Sequence, residues 1–144
     1  MKKNILNQLA EDKESYFNAA IPPIFSNSNF LFSNVNDMRE AMSSKSSNPF
    51  YTRGSNPTTS ILEKKIAALE GTEKAIALSS GMAAITTAIL SQVSSGDHII
   101  SIKRPYTGTD RFMKEILPKL NIEVSFVDGS KTENFTRAIQ DNTK

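Results

Sequence analysis

YTRGSNPTTSILEKKIAALEGTEKAIALSSGMAA, residues 51–84, decides how the chain is read. It joins an aromatic and a basic residue, Tyr51 and Arg53, to a helix start, an apolar helix, a short apolar run and a turn of small residues. Asn56 suits an N-cap, because its side-chain oxygen can accept a first-turn N–H, and Pro57 suits the first helical position. Ile61, Leu62, Ile66 and Leu69 recur at helical spacing, and Gly71 supplies a left-handed stop. Ala75-Ile76-Ala77-Leu78 is short, apolar and unalternating, as a strand covered on both faces should be. Ser79-Ser80-Gly81-Met82 then opens a second helix, where unpaired backbone N–H groups and the helix dipole favour an anion.

Downstream the same grammar repeats. A helix is expected from about Met82 to Val93, ended by Ser95-Gly96-Asp97. His98–Ile102 reads as the next strand, Thr109–Leu117 as a helix closed by Pro118, and Ile122–Val127 as a third strand. Phe135–Gln140 begins another helix, with no strand expected after it. Strand and helix alternate, which argues an α/β layered sheet with parallel crossovers. The last crossover reads as unclosed and a sheet edge as uncovered, so the segment reads as part of a domain.

Upstream the pattern weakens. Residues 1–48 are polar and rich in Ser and Asn, with an extended Ala19–Phe25 around Pro22-Pro23, a short helix over Asn34–Met42 and a loop over Ser43–Pro49. This third reads as an arm that leans on something else, and residues 49–144 as the first part of an α/β domain. The composition narrows the function classes. Seventeen Lys and Arg face fifteen Asp and Glu, so a net charge of +2 gives no electrostatic case for nucleic acid. No cysteine and one histidine argue against a disulfide framework or a metal site. No apolar run suits a signal peptide or a membrane span, so a cytoplasmic setting is the expectation.

Taken singly, the candidate residues admit bland readings. Gly81 could serve a plain tight turn, Arg53 a surface ion pair of little worth, and Tyr106 a partly buried turn aromatic. Their functional readings are a phosphate seat at a helix N-terminus, a guanidinium fork on phosphate, and a ring past a strand's carboxyl end that stacks on a flat ligand. Lys103 reads as a solvated loop charge, and His98 as a surface residue opening its strand.

Order and spacing change that balance. "IPPIF", "YTRGSNPTTSILEKKIAALEG", "ALSSGMAAI", "GDHII", "PYTGTDRF" and "IEVSFVD" together resemble the transsulfuration family of pyridoxal-phosphate enzymes, which includes cystathionine γ-synthases, cystathionine lyases and methionine γ-lyase. The resemblance covers most of the chain from Ile21 onward. It implies the N-terminal portion of a fold-type-I large domain, a three-layer α/β unit with a mostly parallel sheet, preceded by an extended arm. It also implies pyridoxal 5′-phosphate as cofactor and a small amino acid as substrate. The reaction would be a carbon–sulfur lyase or γ-replacement reaction, in a homodimer or homotetramer contacted through the arm. Tyr51 and Arg53 would reach the cofactor phosphate of a neighbouring subunit, and the N–H groups of Gly81 and Met82 would bind the same phosphate. Tyr106 would stack on the pyridine ring and is a candidate proton-transfer group. One departure stands out: the family's Tyr-Gly-Gly-Thr is here Tyr106-Thr107-Gly108-Thr109, and a β-branched Thr107 would restrict the turn if it required positive φ. The family's Ser-x-Thr-Lys segment, which carries the cofactor-binding lysine, does not occur in these 144 residues. The polypeptide alone is therefore expected to be inactive. The rival expectations are a non-catalytic remnant or partial subunit, and an unrelated phosphate-binding α/β module.

Overall fold

The computed structural model describes residues 9, 11, 13–43 and 48–144. The chain divides into two compact units, Met1–Ala77 and Leu78–Lys144.

In the first unit, helix α1 spans Val35–Met42, with the Asn34 side chain accepting the Asp37 N–H at 3.0 Å. Helix α2 spans Pro57–Glu70, capped by Asn56 and stopped by Gly71 at φ 71°, as the sequence indicated. Its apolar positions are unequally used. Ile61 and Ala67 are buried, while Leu62 and Ile66 stay exposed. The arm lies along the start of α2: Phe25 N–H donates to Thr58 Oγ1 at 2.9 Å, and Asn29 forms an antiparallel bridge with Tyr51. An ion pair joins Lys65 of α2 to Glu11. The loop expected over Ser43–Pro49 lies largely outside the described residues, as do positions 1–8.

Ala75–Leu78 is not a strand. A strand exists through ladder hydrogen bonds to a neighbour, and this run finds none among the described residues. Instead Ala77 N–H donates to the Glu63 carboxylate at 2.9 Å, and Ile76 is exposed. Composition alone could not reveal that difference.

The second unit is built on two parallel strands, β1 (His98–Ile102) and β2 (Glu123–Val127), in register from His98 opposite Glu123 to Ile102 opposite Val127. Helix α3 (Gly81–Leu90) precedes them and ends three residues before the expected Val93. The connection between the strands is one helical run of three pitches: α4 (Thr107–Arg111), a π segment (Phe112–Ile116) and a 3₁₀ turn (Leu117–Leu120). Pro118 does not close the helix at Leu117 as expected. The ring removes a backbone donor that an α-helix would use. The ladder widens before it and tightens after it, a change of pitch that keeps the chain coiled. Asn121 at φ 57° ends the run.

Phe112, Met113, Leu117 and Ile122 form the buried core, against which Met82, Ile89, Val93, Ile99, Val124 and Phe126 pack. The strand alternation explains the last three. Ile99 faces Val124 in the register and Phe126 lies two residues on, so all three point to one side of the sheet.

After β2, helix α5 spans Thr132–Ala138, starting earlier than expected. No further strand follows α5 among the described residues, yet single contacts reach back to β1. Thr143 makes a parallel bridge to His98, with His98 N–H donating to Asn142 O at 2.9 Å and Lys144 N–H to His98 O at 3.0 Å. β1 thus has neighbours on both edges at its first residue. That placement also corrects the surface reading of His98, which is 1% exposed. Its ring pairs through Nδ1 with Thr143 Oγ1 at 2.8 Å and through Nε2 with Ser125 Oγ at 2.9 Å. Two hydroxyls offset the cost of burying an imidazole.

Candidate functional site

The five residues singled out in the sequence fall into two groups, one in each unit. In the first unit, Tyr51 and Arg53 are brought together, with the guanidinium carbon 5.2 Å from the Tyr51 ring centre. That separation allows a cation–π contact. Both side chains are exposed, so the guanidinium edge remains open to a ligand. Their backbone is closely held. Tyr51 O accepts the N–H groups of Gly54 and Ser55 at 3.0 Å each, and Thr52 N–H donates to Ser28 O at 3.0 Å.

In the second unit, α3 starts at Gly81 with Ser80 as its cap. Ser80 Oγ accepts the Ala83 N–H at 3.0 Å, and Ser80 O accepts the Ala84 N–H at 3.0 Å. The N–H groups of Gly81 and Met82 are left without a partner among the described residues, as the first turn of any helix leaves its donors. A Cβ added at Gly81 would meet nothing within 4 Å. Two donors, a positive helix end and open space above the glycine suit a phosphate. The residues present therefore fit the phosphate end of a pyridoxal cofactor.

Tyr106 stands at the start of α4 with most of its ring exposed. It approaches α3 across Gly108. A Cβ at Gly108 would lie 2.6 Å from Met82 Sδ and 3.0 Å from Tyr106 Cε1. Gly108 is thus small because the Met82 and Tyr106 side chains converge on it, and its φ is not positive. The structure also resolves the departure at Thr107. This residue is the first of α4 and has no positive φ, so its β-branch is accommodated. The role of Gly108 was missed in the sequence. Its only trace was the retained second glycine of Tyr-x-Gly-Thr.

Beyond the carboxyl ends of β1 and β2 lies a separate cleft of about 420 Å³, lined by Ile102, Lys103, Arg104, Asp128 and Gly129. Hydrogen bonds from Ser130, the backbone N–H first and the hydroxyl second, hold the Asp128 carboxyl below the usual carboxylate range, and Lys103 adds to this. Among the described residues no cluster of His, Asp or Glu could hold a metal ion, and no helix is long and apolar enough to cross a membrane.

Comparison with known proteins gives this geometry a context. Residues 4–144 match the family model for Cys/Met metabolism PLP-dependent enzymes. An O-acetyl-L-homoserine sulfhydrylase from Corynebacterium glutamicum is 40% identical over 123 residues, covering 85% of this chain and 28% of that protein. An L-methionine gamma-lyase from Fusobacterium nucleatum is 38% identical over 122 residues, covering 85% and 31%. The chain thus spans under a third of these relatives, corresponding to their N-terminal part. Among solved structures, metB from Corynebacterium glutamicum superposes with a TM-score of 0.86 at 31% identity, covering all of this chain and 36% of that one. A protein from Campylobacter jejuni assigned as an O-acetylhomoserine (thiol)-lyase gives 0.87 at 27% identity, covering 99% and 35%, and carries a pyridoxyl-lysine phosphate. The α/β fold, with its parallel strands, is accordingly part of the fold-type-I architecture. This chain belongs to the Cys/Met metabolism family of pyridoxal-phosphate-dependent enzymes.

Proposed function

We propose that this chain supplies the phosphate-holding N-terminal part of an enzyme of sulfur amino-acid metabolism, one that eliminates across a carbon–sulfur bond or replaces a γ-substituent. The observation that carries this reading is the start of α3. Two N–H groups there lack partners among the described residues, the cap hydroxyl is committed to Ala83, and the space over Gly81 is open. Gly81 and Met82 would donate to the phosphate, and Tyr106 would lie flat against the ring while holding or moving a proton at its phenol oxygen. Tyr51 and Arg53 would grip the phosphate of a neighbouring subunit, Arg53 through its planar fork. Pyridoxal phosphate, when bound, supplies the electron sink for bond breaking at the amino acid's α-carbon. The strongly exposed Ile21 and Ile24 of the arm support contact with a second copy, in a homodimer or homotetramer acting on an amino acid in the cytoplasm. The Ser-x-Thr-Lys segment that carries the family's cofactor-binding lysine does not occur in residues 1–144.

The test joins these 144 residues to the remainder of the Fusobacterium methionine gamma-lyase. Arg53→Ala should weaken pyridoxal-phosphate affinity by about one to two orders of magnitude, the worth of a charge-assisted contact of roughly 1.5–3 kcal/mol. Arg53→Lys should restore only part of it. Mixing Arg53→Ala chains with chains lacking the cofactor-binding lysine should restore activity in hybrid sites. Well-formed hybrids without activity would show that Arg53 does not reach across subunits, and unchanged affinity would show that it holds no phosphate.

A further inference from the structure

We propose that Thr52 and Asn56 are positioning residues, which fix Tyr51 and Arg53 in place by locking the backbone between them onto the arm segment Phe25–Asn29. The inference rests on the phosphate reading of Tyr51 and Arg53 and adds what sets their geometry. Thr52 lies between the two and is held at three points. Its N–H donates to Ser28 O at 3.0 Å, its hydroxyl donates to Asn27 O, and that same hydroxyl accepts from Asn56 Nδ2 at 3.1 Å. Asn56 is 8% exposed, and its amide is fully engaged. One Nδ2 hydrogen goes to Thr52 and the other to Phe25 O at 2.8 Å, while Oδ1 caps α2 by accepting Thr58 N–H at 2.9 Å. The cap therefore explains only the oxygen.

The amide nitrogen explains why the residue is asparagine. An aspartate caps a helix equally well but has no hydrogen to give Phe25 or Thr52. The antiparallel bridge from Asn29 to Tyr51 completes the attachment on the far side. The consequence concerns Arg53, whose long exposed side chain has much rotamer freedom to lose when it grips a ligand. A backbone fixed on both sides, with the guanidinium already over the Tyr51 ring at 5.2 Å, lowers that cost in advance. The arm would thus prepare the clamp in addition to any contact it makes with another subunit.

The test compares Asn56→Asp, Thr52→Val and Thr52→Ser in the 144-residue chain by NMR. Asn56→Asp keeps the cap, so amides in the first turn of α2 should retain their protection. The Thr52 amide should exchange about fivefold to a hundredfold faster in Asn56→Asp and Thr52→Val, each of which loses two hydrogen bonds, and the Arg53–Tyr51 ring contact should weaken. Thr52→Ser, which keeps the hydroxyl, should behave as the parent. Unchanged protection and ring contact in both Asn56→Asp and Thr52→Val would overturn the proposal. The joined enzyme described above then separates the two ideas through pyridoxal-phosphate affinity, with Arg53→Ala as reference. Affinity unchanged in Arg53→Ala overturns the phosphate reading and this inference with it. Affinity lost in Arg53→Ala but kept in both Asn56→Asp and Thr52→Val overturns the positioning role alone.

Discussion

Replacing Gly108 with alanine separates the stability of the second unit from the geometry of its site. The added Cβ would sit 2.6 Å from Met82 Sδ and 3.0 Å from Tyr106 Cε1, whereas ordinary contact begins near 3.4 Å. One side chain must therefore move by several tenths of an ångström. Methionine yields readily, because its unbranched chain has three rotatable bonds. Overpacking of this kind costs roughly 1–3 kcal/mol. Alanine in a helix recovers up to about 1 kcal/mol over glycine, so the net destabilisation should be about 0–2 kcal/mol. The effect on the site should be larger in kind, because Met82 and Tyr106 are the residues proposed for the phosphate and the ring, Met82 through its backbone N–H. Urea denaturation measures the first quantity. Tyrosine ring resonances measure the second, and they are tractable because the chain has only three tyrosines. The expected result is a near-parental unfolding midpoint with a clear shift at Tyr106 and none at Tyr16. An unmoved Tyr106 resonance would refute the claim that Gly108 holds Met82 and Tyr106 together.

Other consequences follow from the same structure. His98→Ala should destabilise the second unit by about 2–4 kcal/mol, combining a cavity with two hydroxyls left unpaired, and should expose the Lys144 amide to exchange; an unchanged unfolding midpoint would contradict the buried role. Asp128 titrates below its usual range when folded. Its contribution to stability is therefore present above about pH 3.9, its unfolded value, and is lost as pH falls through the lower folded value. Asp128→Asn should remove that part of the acid limb in thermal melts taken between about pH 2 and pH 5, and an identical limb in the variant would show that Ser130 does not stabilise the carboxylate.

Helix starts and the two paired strands were legible in the sequence, and the edges of the sheet were not. Asn56, Pro57 and Gly71 act through local backbone chemistry, so α2 could be placed to the residue. Gly81 and Ser80 likewise mark a helix start through short-range hydrogen bonding. Ala75–Leu78 failed because pairing is a non-local property, and an apolar run does not state whether a partner lies beside it. The single bridge at Asn142–Lys144 was hidden for the opposite reason. Its polar residues give no strand pattern, yet their backbone pairs with His98, and the Thr143 hydroxyl completes the histidine's bonding. Burial of His98 was illegible because both of its partners are small hydroxyl residues distant in sequence. The second role of Asn56 was hidden by the first, since the cap alone already accounted for an asparagine before proline. Pro118 misled because a proline within a helix can be absorbed by a change of pitch as well as by termination.

The central proposal is that the start of α3 is a phosphate seat. It is tested most directly by recording the backbone amide resonances of Gly81 and Met82 while the chain is titrated with pyridoxal 5′-phosphate, and separately with pyridoxal. If the two N–H groups hold the phosphate, both resonances should shift saturably with the phosphorylated compound and stay in place with the unphosphorylated one. Equal responses to both compounds, or none to either at concentrations that saturate the joined enzyme, would contradict it.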